Sequence, residues 1–283
     1  MNQMISTYCG IIPIIARPNV GKSTLINHLI KRKISITSSK ANTTLQCTVG
    51  IHTEGAYQSI YIDTPGIYKK DKKIIDNLIN YPFIPSLKKL SLIIFMIEGT
   101  YWYYEDTMII KKLSSIDCPI IVVINKIDKI RNKSNLLPHI KFIKDQIHFD
   151  EILPICAKSG KYIDTLLNIV KKKLPKGGHI FPQNFFTTHS NQFIVSEIIR
   201  EKLIRYLGNE LPYSIDTKIE EFYIDSFGRY HIRGLISVER ISQKKIIIGE
   251  NGSKIHIIRK KAEEEIKNFL GQSVWLKLWI NIK

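Results

Sequence analysis

Apolar residues in the first half of the chain fall in short continuous runs bounded by polar or glycine-containing stretches. The runs are Ile11–Ala16, Ile60–Asp63, Leu92–Glu98, Pro119–Asn125 and Ile152–Cys156. Continuous runs of this length suit strands buried on both faces, as in a parallel sheet covered by helices. Lys22–Ile30 instead places Leu25, Ile26 and Leu29 on one side of a helix, and Ile163–Leu174 reads as a closing helix. Strands alternating with helices predict a doubly wound α/β domain.

The pattern changes after Lys171–Lys173, where Leu174-Pro175-Lys176-Gly177-Gly178 joins a charge run to helix breakers. Beyond it, Ser196–Leu207 puts Ile199, Leu203, Tyr206 and Leu207 on one helical face. Ser214–Ile224 and His231–Glu239 read as strands around a turn at Phe227-Gly228. Lys245–Ile248, the loop Gly249-Glu250-Asn251-Gly252 and a helical stretch to Leu270 follow. Ser273–Ile282 alternates apolar and polar residues as a final strand. The order is α-β-β-α-α-β. The domain boundaries expected are 1–175, a linker over 176–190, and a second domain over 191–283.

A length of 283 residues accommodates two domains. Apolar content of 44% with 24% charged residues is ordinary for a soluble globular protein. No apolar run reaches the ~18 residues of a membrane-spanning helix, and Met1–Gly10 lacks the form of a secretory signal. Cys9, Cys47, Cys118 and Cys156 are scattered without a paired motif, so structural thiols in a reducing cytoplasm are expected rather than zinc or a disulfide framework. The formal charge of +17 points to a polyanionic partner such as nucleic acid. No heptad repeat or apolar surface stripe stands out, and a monomer is expected.

Chemistry concentrates at the ends of the predicted strands. Ala16-Arg17-Pro18-Asn19-Val20-Gly21-Lys22-Ser23 joins a strand to a helix as a phosphate-binding loop. Backbone N–H groups and the helix N-terminus supply donors without bulk, and Gly21 permits close approach. Lys22 is placed to reach the β- and γ-phosphates and Ser23 to ligate Mg²⁺; Thr24 continues the motif. Asp63-Thr64-Pro65-Gly66 follows the next strand. Asp63 can hold Mg²⁺ through water, and the Gly66 N–H can sense the γ-phosphate. Asn125-Lys126-Ile127-Asp128 supplies a carboxylate able to accept from guanine N1–H and the 2-amino group, a donor pair adenine lacks. Asp128 therefore selects GTP over ATP, while Asn125 braces the loop and the Lys126 stem lies on the base. In Cys156-Ala157-Lys158 the Ala157 N–H is aimed at guanine O6. A switch-loop threonine for Mg²⁺ lies in Lys40–Leu45, with Thr44 chosen and Thr43 as the alternative. Ile67 follows Gly66, so a side chain that positions water is missing there and slow intrinsic turnover is expected. Lys22, Thr44 and Gly66 are the residues expected to act in hydrolysis.

In the second domain, Gly249-Glu250-Asn251-Gly252 resembles the GxxG loop of a KH domain, which clamps single-stranded nucleic acid. Lys244, Lys245, Lys254, Arg259 and Lys260 flank it, with Lys261 beside them. Glu250 stands where a basic residue is common and would repel phosphate.

Taken together these stretches resemble the Era GTPase family. The likeness includes Arg17–Thr24, Lys33–Ser38, Gly50–Tyr57, Asp63–Gly66 and Glu210–Ser214, of which Thr53-Glu54-Gly55 and Leu211-Pro212-Tyr213 are the more specific. The resemblance implies an α/β P-loop GTPase domain followed by an α+β type II KH domain. It also implies binding of GTP, GDP and Mg²⁺ and hydrolysis of GTP to GDP and phosphate. The partners implied are the 3′ end of 16S ribosomal RNA and the 30S subunit, in whose assembly and rRNA processing such proteins assist. The implied location is cytoplasmic, with peripheral inner-membrane contact in some members. In related GTPases an Asn at the position of Asn19 helps hold K⁺.

Three motif positions depart from the pattern: Ala16 for the usual Gly, Cys156 for Ser, and Glu250. With Ile67 in the place of a water-positioning side chain, Ala16 and Cys156 keep a second reading open, an RNA-binding assembly factor with residual or no GTP turnover. A third, a tRNA-modifying or double-GTPase relative, is opposed by the single G domain and the GxxG loop.

Overall fold

The computed structural model describes residues 6–37, 47–64, 90–146, 148–207 and 215–283. These divide into two compact units, one ending at Thr188 and one running from His189 to Lys283, with Ile36 and Thr37 counted in the second.

The first unit holds a six-stranded sheet. Its strands are β1 (Tyr8–Ile15), β2 (Thr48–Glu54), β3 (Tyr57–Asp63), β4 (Ile93–Glu98), β5 (Ile120–Asn125) and β6 (Glu151–Pro154). The order across the sheet is β2-β3-β1-β4-β5-β6. All neighbours are parallel except β2 and β3, which pair antiparallel from Thr48↔Asp63 to Glu54↔Tyr57. β2 is the strand that reading for continuous apolar runs passes over. As an edge strand ending His52-Thr53-Glu54, it is too polar to register as such a run.

Helices cover both faces: α1 (Lys22–Ile30), α2 (Tyr104–Leu113), α3 (Leu136–Gln146) and α4 (Ile163–Lys173). Alternate residues of each central strand serve opposite cores. Ile12, Ile14, Ile94, Met96, Ile121 and Val123 pack with Leu25 and Leu29 of α1 and Leu166 and Val170 of α4. Ile11, Ile15, Ile93, Phe95, Val122 and Ile124 pack with Ile109 and Leu113 of α2 and Ile143 of α3. A strand apolar at every position is therefore what this double burial requires.

The second unit follows the predicted order: α5 (Asn191–Tyr206), β7 (Asp216–Ile224), β8 (Tyr230–Val238), α6 (Ile241–Ile248), α7 (Ser253–Leu270) and β9 (Val274–Ile282). β8 is the central strand, antiparallel to β7 and parallel to β9. Ile198, Ile199 and Leu203 of α5 are buried, as are Ile258, Ala262 and Ile266 of α7 and Ile232, Ile236 and Leu276 of the sheet.

The stretch anticipated as a linker lies, as far as Thr187, against the first unit. Ile51 N donates to Phe186 O at 2.9 Å and Thr187 Oγ1 to Val49 O at 2.7 Å, so the strap covers the β2 edge. Gln58, fully buried, is its clamp. Its Oε1 accepts from the N–H groups of Ile180 at 2.8 Å and Phe181 at 3.0 Å, and its Nε2 donates to Phe181 O at 2.8 Å. Gln58→Ala leaves those buried groups unpaired and should destabilise the first unit by about 2–3 kcal/mol. The urea midpoint should fall and amide exchange at Ile180 and Phe181 should accelerate; an unchanged midpoint with unchanged exchange refutes the clamp.

Candidate guanine-nucleotide site and nucleic-acid loop

The chemistry gathers where the parallel strands end, at the tips of β1, β3, β4 and β5, the edge at which such sheets place their ligand loops. Ala16 to Gly21 leave β1 and enter α1. Gly21 has φ of 111°, and a Cβ there would lie 2.4 Å from Asn125 Nδ2, so only glycine fits. Ala16 is fully buried and is not among the residues with positive φ, so its methyl group brings no backbone strain. Asn19, exposed, takes the left-handed conformation at φ 62°, which asparagine tolerates better than most residues.

Lys22 is buried, and its ammonium donates to the carbonyls of Ala16 at 3.3 Å and Arg17 at 3.2 Å. Burial lowers its pKa to about 8; the Asp63 carboxylate opposes the shift and Arg17 adds to it. Asp63, at the tip of β3, is wholly buried. Ser23 and Ser35 face it, and burial raises its pKa against the pull of Lys22. A buried carboxylate beside a serine at a helix start has the oxygen-donor chemistry of a Mg²⁺ site. Thr64 is also buried, and its hydroxyl donates to Ile14 O at 2.9 Å, tying the loop to β1. Thr44, Pro65, Gly66 and Ile67 lie outside the described residues, as does Glu210–Ser214.

Asn125 joins three loops. Its Nδ2 donates to Val20 O at 2.7 Å and its Oδ1 accepts from Ala157 N at 2.9 Å. Lys126 adopts φ 62° and spans from the base-reading loop to the phosphate loop, donating to Asn19 O at 2.6 Å and Glu98 Oε1 at 2.8 Å. Asp128 is exposed, and the Cys156 thiol donates to its Oδ1 at 3.0 Å. That bond is the main reason its pKa is lowered. With Cys156 in place of the family's serine, the bracing contact to Asp128 is made by sulfur instead of oxygen.

Sequence reasoning missed Glu98, Tyr103 and Asp106. Glu98 ends an apolar strand, as Asp63 and Asn125 do, and that shared position was the available signal. Asp106 is fully buried in the first turn of α2, where it accepts from Arg17 Nε at 3.1 Å and Tyr103 N at 3.0 Å. The Arg17 guanidinium lies 4.0 Å from the Tyr103 ring centre.

In the second unit, Gly249 ends α6 with φ 72°, and a Cβ there would meet Lys254 Cβ at 2.7 Å. Asn251 (φ 48°) and Gly252 (φ 76°) are also left-handed, and Gly252 caps the start of α7. Lys245 and Lys260 are exposed; Lys244 and Lys254 are half-buried. Arg259 is tied to Glu263 at 2.7 Å. Ile247 is buried while Ile246 and Ile257 are 43% and 47% exposed, an apolar surface beside the loop.

A family model described as a 50S ribosome-binding GTPase matches residues 11–126, and a KH domain model matches residues 210–283. GTPase Era of Yersinia pestis (strain Pestoides F) is 47% identical over 283 residues, covering 100% of this chain and 93% of that protein. The same identity and coverage hold for GTPase Era of Yersinia pseudotuberculosis serotype O:1b (strain IP 31758). An Era variant of Aquifex aeolicus bound to GDP·AlF4⁻ superposes with a TM-score of 0.87 at 37% identity, covering 98% of this chain and 94% of that one. An Era in complex with MgGDPNP and nucleotides 1506–1542 of 16S ribosomal RNA gives 0.86 at 37% identity, with the same coverages. With P-loop and base-reading loop laced together in one unit and a GxxG loop in the other, this chain belongs to the Era GTPase family.

Proposed function

We propose that the chain binds GTP and GDP with Mg²⁺, hydrolyses GTP, and uses the cycle to control binding of its KH unit to the 3′ end of 16S ribosomal RNA during 30S subunit assembly and rRNA processing. One observation carries the nucleotide reading: the Asn125 carboxamide holds the phosphate loop and the Ala157 loop to the strand tip that presents Asp128. Family membership supports the coupling to RNA, and relatives captured with MgGDPNP and 16S RNA and with GDP·AlF4⁻ support both halves.

In this reading the backbone N–H groups of Arg17 and of Asn19 to Thr24 cradle the phosphates and Lys22 neutralises charge on the β–γ oxygens. Ser23, Asp63 and Thr44 would hold Mg²⁺, which when bound stabilises charge on the same oxygens. The Gly66 N–H would report the γ-phosphate, with Pro65 and Ile67 beside it. Asp128 reads guanine, braced by Cys156. Lys244, Lys245, Gly249, Gly252, Lys254 and Lys260 would meet the RNA backbone, and Arg259 only by leaving Glu263. Ala16 carries no positive φ and Cys156 keeps a bond to Asp128, so these two departures from the family pattern do not favour a protein without turnover and the switch reading leads. The proposal extends to a cytoplasmic monomer with peripheral inner-membrane contact. Among the described residues no helix is long and apolar enough to cross a membrane.

The test is multiple-turnover phosphate release by the full chain, with and without an oligonucleotide of the 16S 3′ end. Guanine-selective binding with RNA-stimulated release supports the switch; RNA binding with no turnover supports the assembly-factor reading. Asp128→Asn exchanges an acceptor for a donor, so GDP affinity should fall about 100-fold. Xanthosine diphosphate, with a 2-oxo group, should then bind better than GDP in competition titrations; retained guanine preference would refute the role of Asp128. If Asn19 helps hold K⁺, hydrolysis in KCl should exceed that in NaCl at equal ionic strength, and equal rates refute it.

A further inference from the structure

Two acidic groups outside every nucleotide motif converge on the phosphate loop. Glu98 accepts from Lys126 Nζ at 2.8 Å and lies 3.9 Å from Arg17 Nη2. Asp106 takes Arg17 Nε at 3.1 Å. Lys126 in turn donates to Asn19 O. The outer arm of the phosphate loop, Arg17 to Asn19, is therefore held at one end by Asp106 and at the other by a lysine that Glu98 fixes. Its inner end, Val20, is held separately by Asn125.

The surroundings make these contacts strong. Asp106 is fully buried, and the side chains of Arg17 and Glu98 are 13% and 23% exposed. Charge-assisted hydrogen bonds under such burial are stronger than surface ion pairs, and losing one partner strands the other charge. The Tyr103 ring covers the guanidinium, and Tyr103 N is bonded to the same Asp106, so helix α2 and the loop before it form one seat for Arg17.

We propose that Glu98 and Asp106 are positioning residues for nucleotide retention. They lock the outer arm of the phosphate loop, and Glu98 couples that arm to the base-reading loop through Lys126. Neither is a catalytic residue. A loop already held in shape loses less freedom when phosphate binds, so the tethers act on affinity through preorganisation. Guanine preference, set by Asp128, and the chemical step, set by groups at the phosphates, lie outside their reach.

This inference rests on the nucleotide reading above, and one experiment separates the two. Stopped-flow displacement of fluorescent GDP and GTP analogues from the full chain measures dissociation for wild type, Glu98→Ala, Glu98→Gln and Asp106→Asn. Both nucleotides should leave about tenfold faster from Glu98→Ala and Asp106→Asn, the loss of one charge-assisted bond. Glu98→Gln keeps an acceptor for Lys126 and should recover part of the loss. Guanine-over-adenine preference and single-turnover hydrolysis at saturation should stay within about twofold of wild type, which a general loosening of the fold would not allow. Dissociation within about twofold of wild type in both Glu98→Ala and Asp106→Asn overturns the tether, as does a matching loss of guanine preference. Should Asp106→Asn fail to fold, the two Glu98 variants decide alone. Wild-type protein that retains no guanine nucleotide overturns the functional reading and this inference with it.

Discussion

The nucleotide site depends on one buried carboxamide. Asn125 sits at the end of β5, 2% exposed, with a donor committed to the phosphate loop and an acceptor committed to the loop after β6. Neither bond could be traded for one to water, because the side chain is out of reach of solvent. Leaving either unmade would cost about 1–3 kcal/mol. The same group explains Gly21. With Asn125 Nδ2 in place, any side chain at position 21 collides with it. A phosphate-loop glycine is thus demanded by the base-reading motif as much as by the phosphates.

That convergence follows from the sheet. Parallel strands all end on one edge, and their tips carry Asp63, Glu98 and Asn125, of which Glu98 and Asn125 are direct register partners. Burial on both faces leaves the strand bodies only apolar choices, so polar chemistry is pushed to the tips. The strand bodies and the motifs at three of the tips were therefore legible as apolar runs followed by polar signatures. Glu98 was not, because a lone acid followed by Gly-Thr matches no motif, and its meaning comes from Arg17 and Lys126, remote in sequence. Asp106 was hidden for the same reason: an acid in the first turn of a helix reads as a capping residue. It does serve that role through Tyr103 N while also holding Arg17.

The strap over β2 shows the opposite failure. Pro175, Gly177 and Gly178 are helix breakers, and helix breakers in a charged stretch resemble a linker. What pins the segment is a glutamine in β3 and the open edge of β2, neither of which its own composition reveals. The KH unit was read more completely because its determinants are local. Gly249, Asn251 and Gly252 are left-handed where the sequence places glycine and asparagine, and amphipathic helices flank them. The pairing of Arg259 with Glu263 at i and i+4 was available from spacing alone, and it withdraws one cation from the basic flank.

The departures within the motifs sort by what each position contributes. Ala16 lies where the backbone is used and φ is not positive, so a methyl group is compatible with the loop. At position 156 the side chain donates toward Asp128, and a thiol does so in place of a hydroxyl, with its sulfur 3.0 Å from Oδ1. Glu250 is different. It is exposed in the GxxG loop, where neither backbone conformation nor a buried partner calls for a carboxylate. Its charge stands toward solvent at the loop, where approaching phosphate would meet it. If the loop meets RNA as proposed, compensation would come from Lys245, Lys254 and Lys260 around it, with Arg259 engaged by Glu263. In the proposed RNA-binding reading, affinity would therefore rest on the flanking lysines and the exposed Ile246 and Ile257 more than on the loop itself. Salt should weaken the first contribution and leave the second, because screening acts on charges and not on apolar contact.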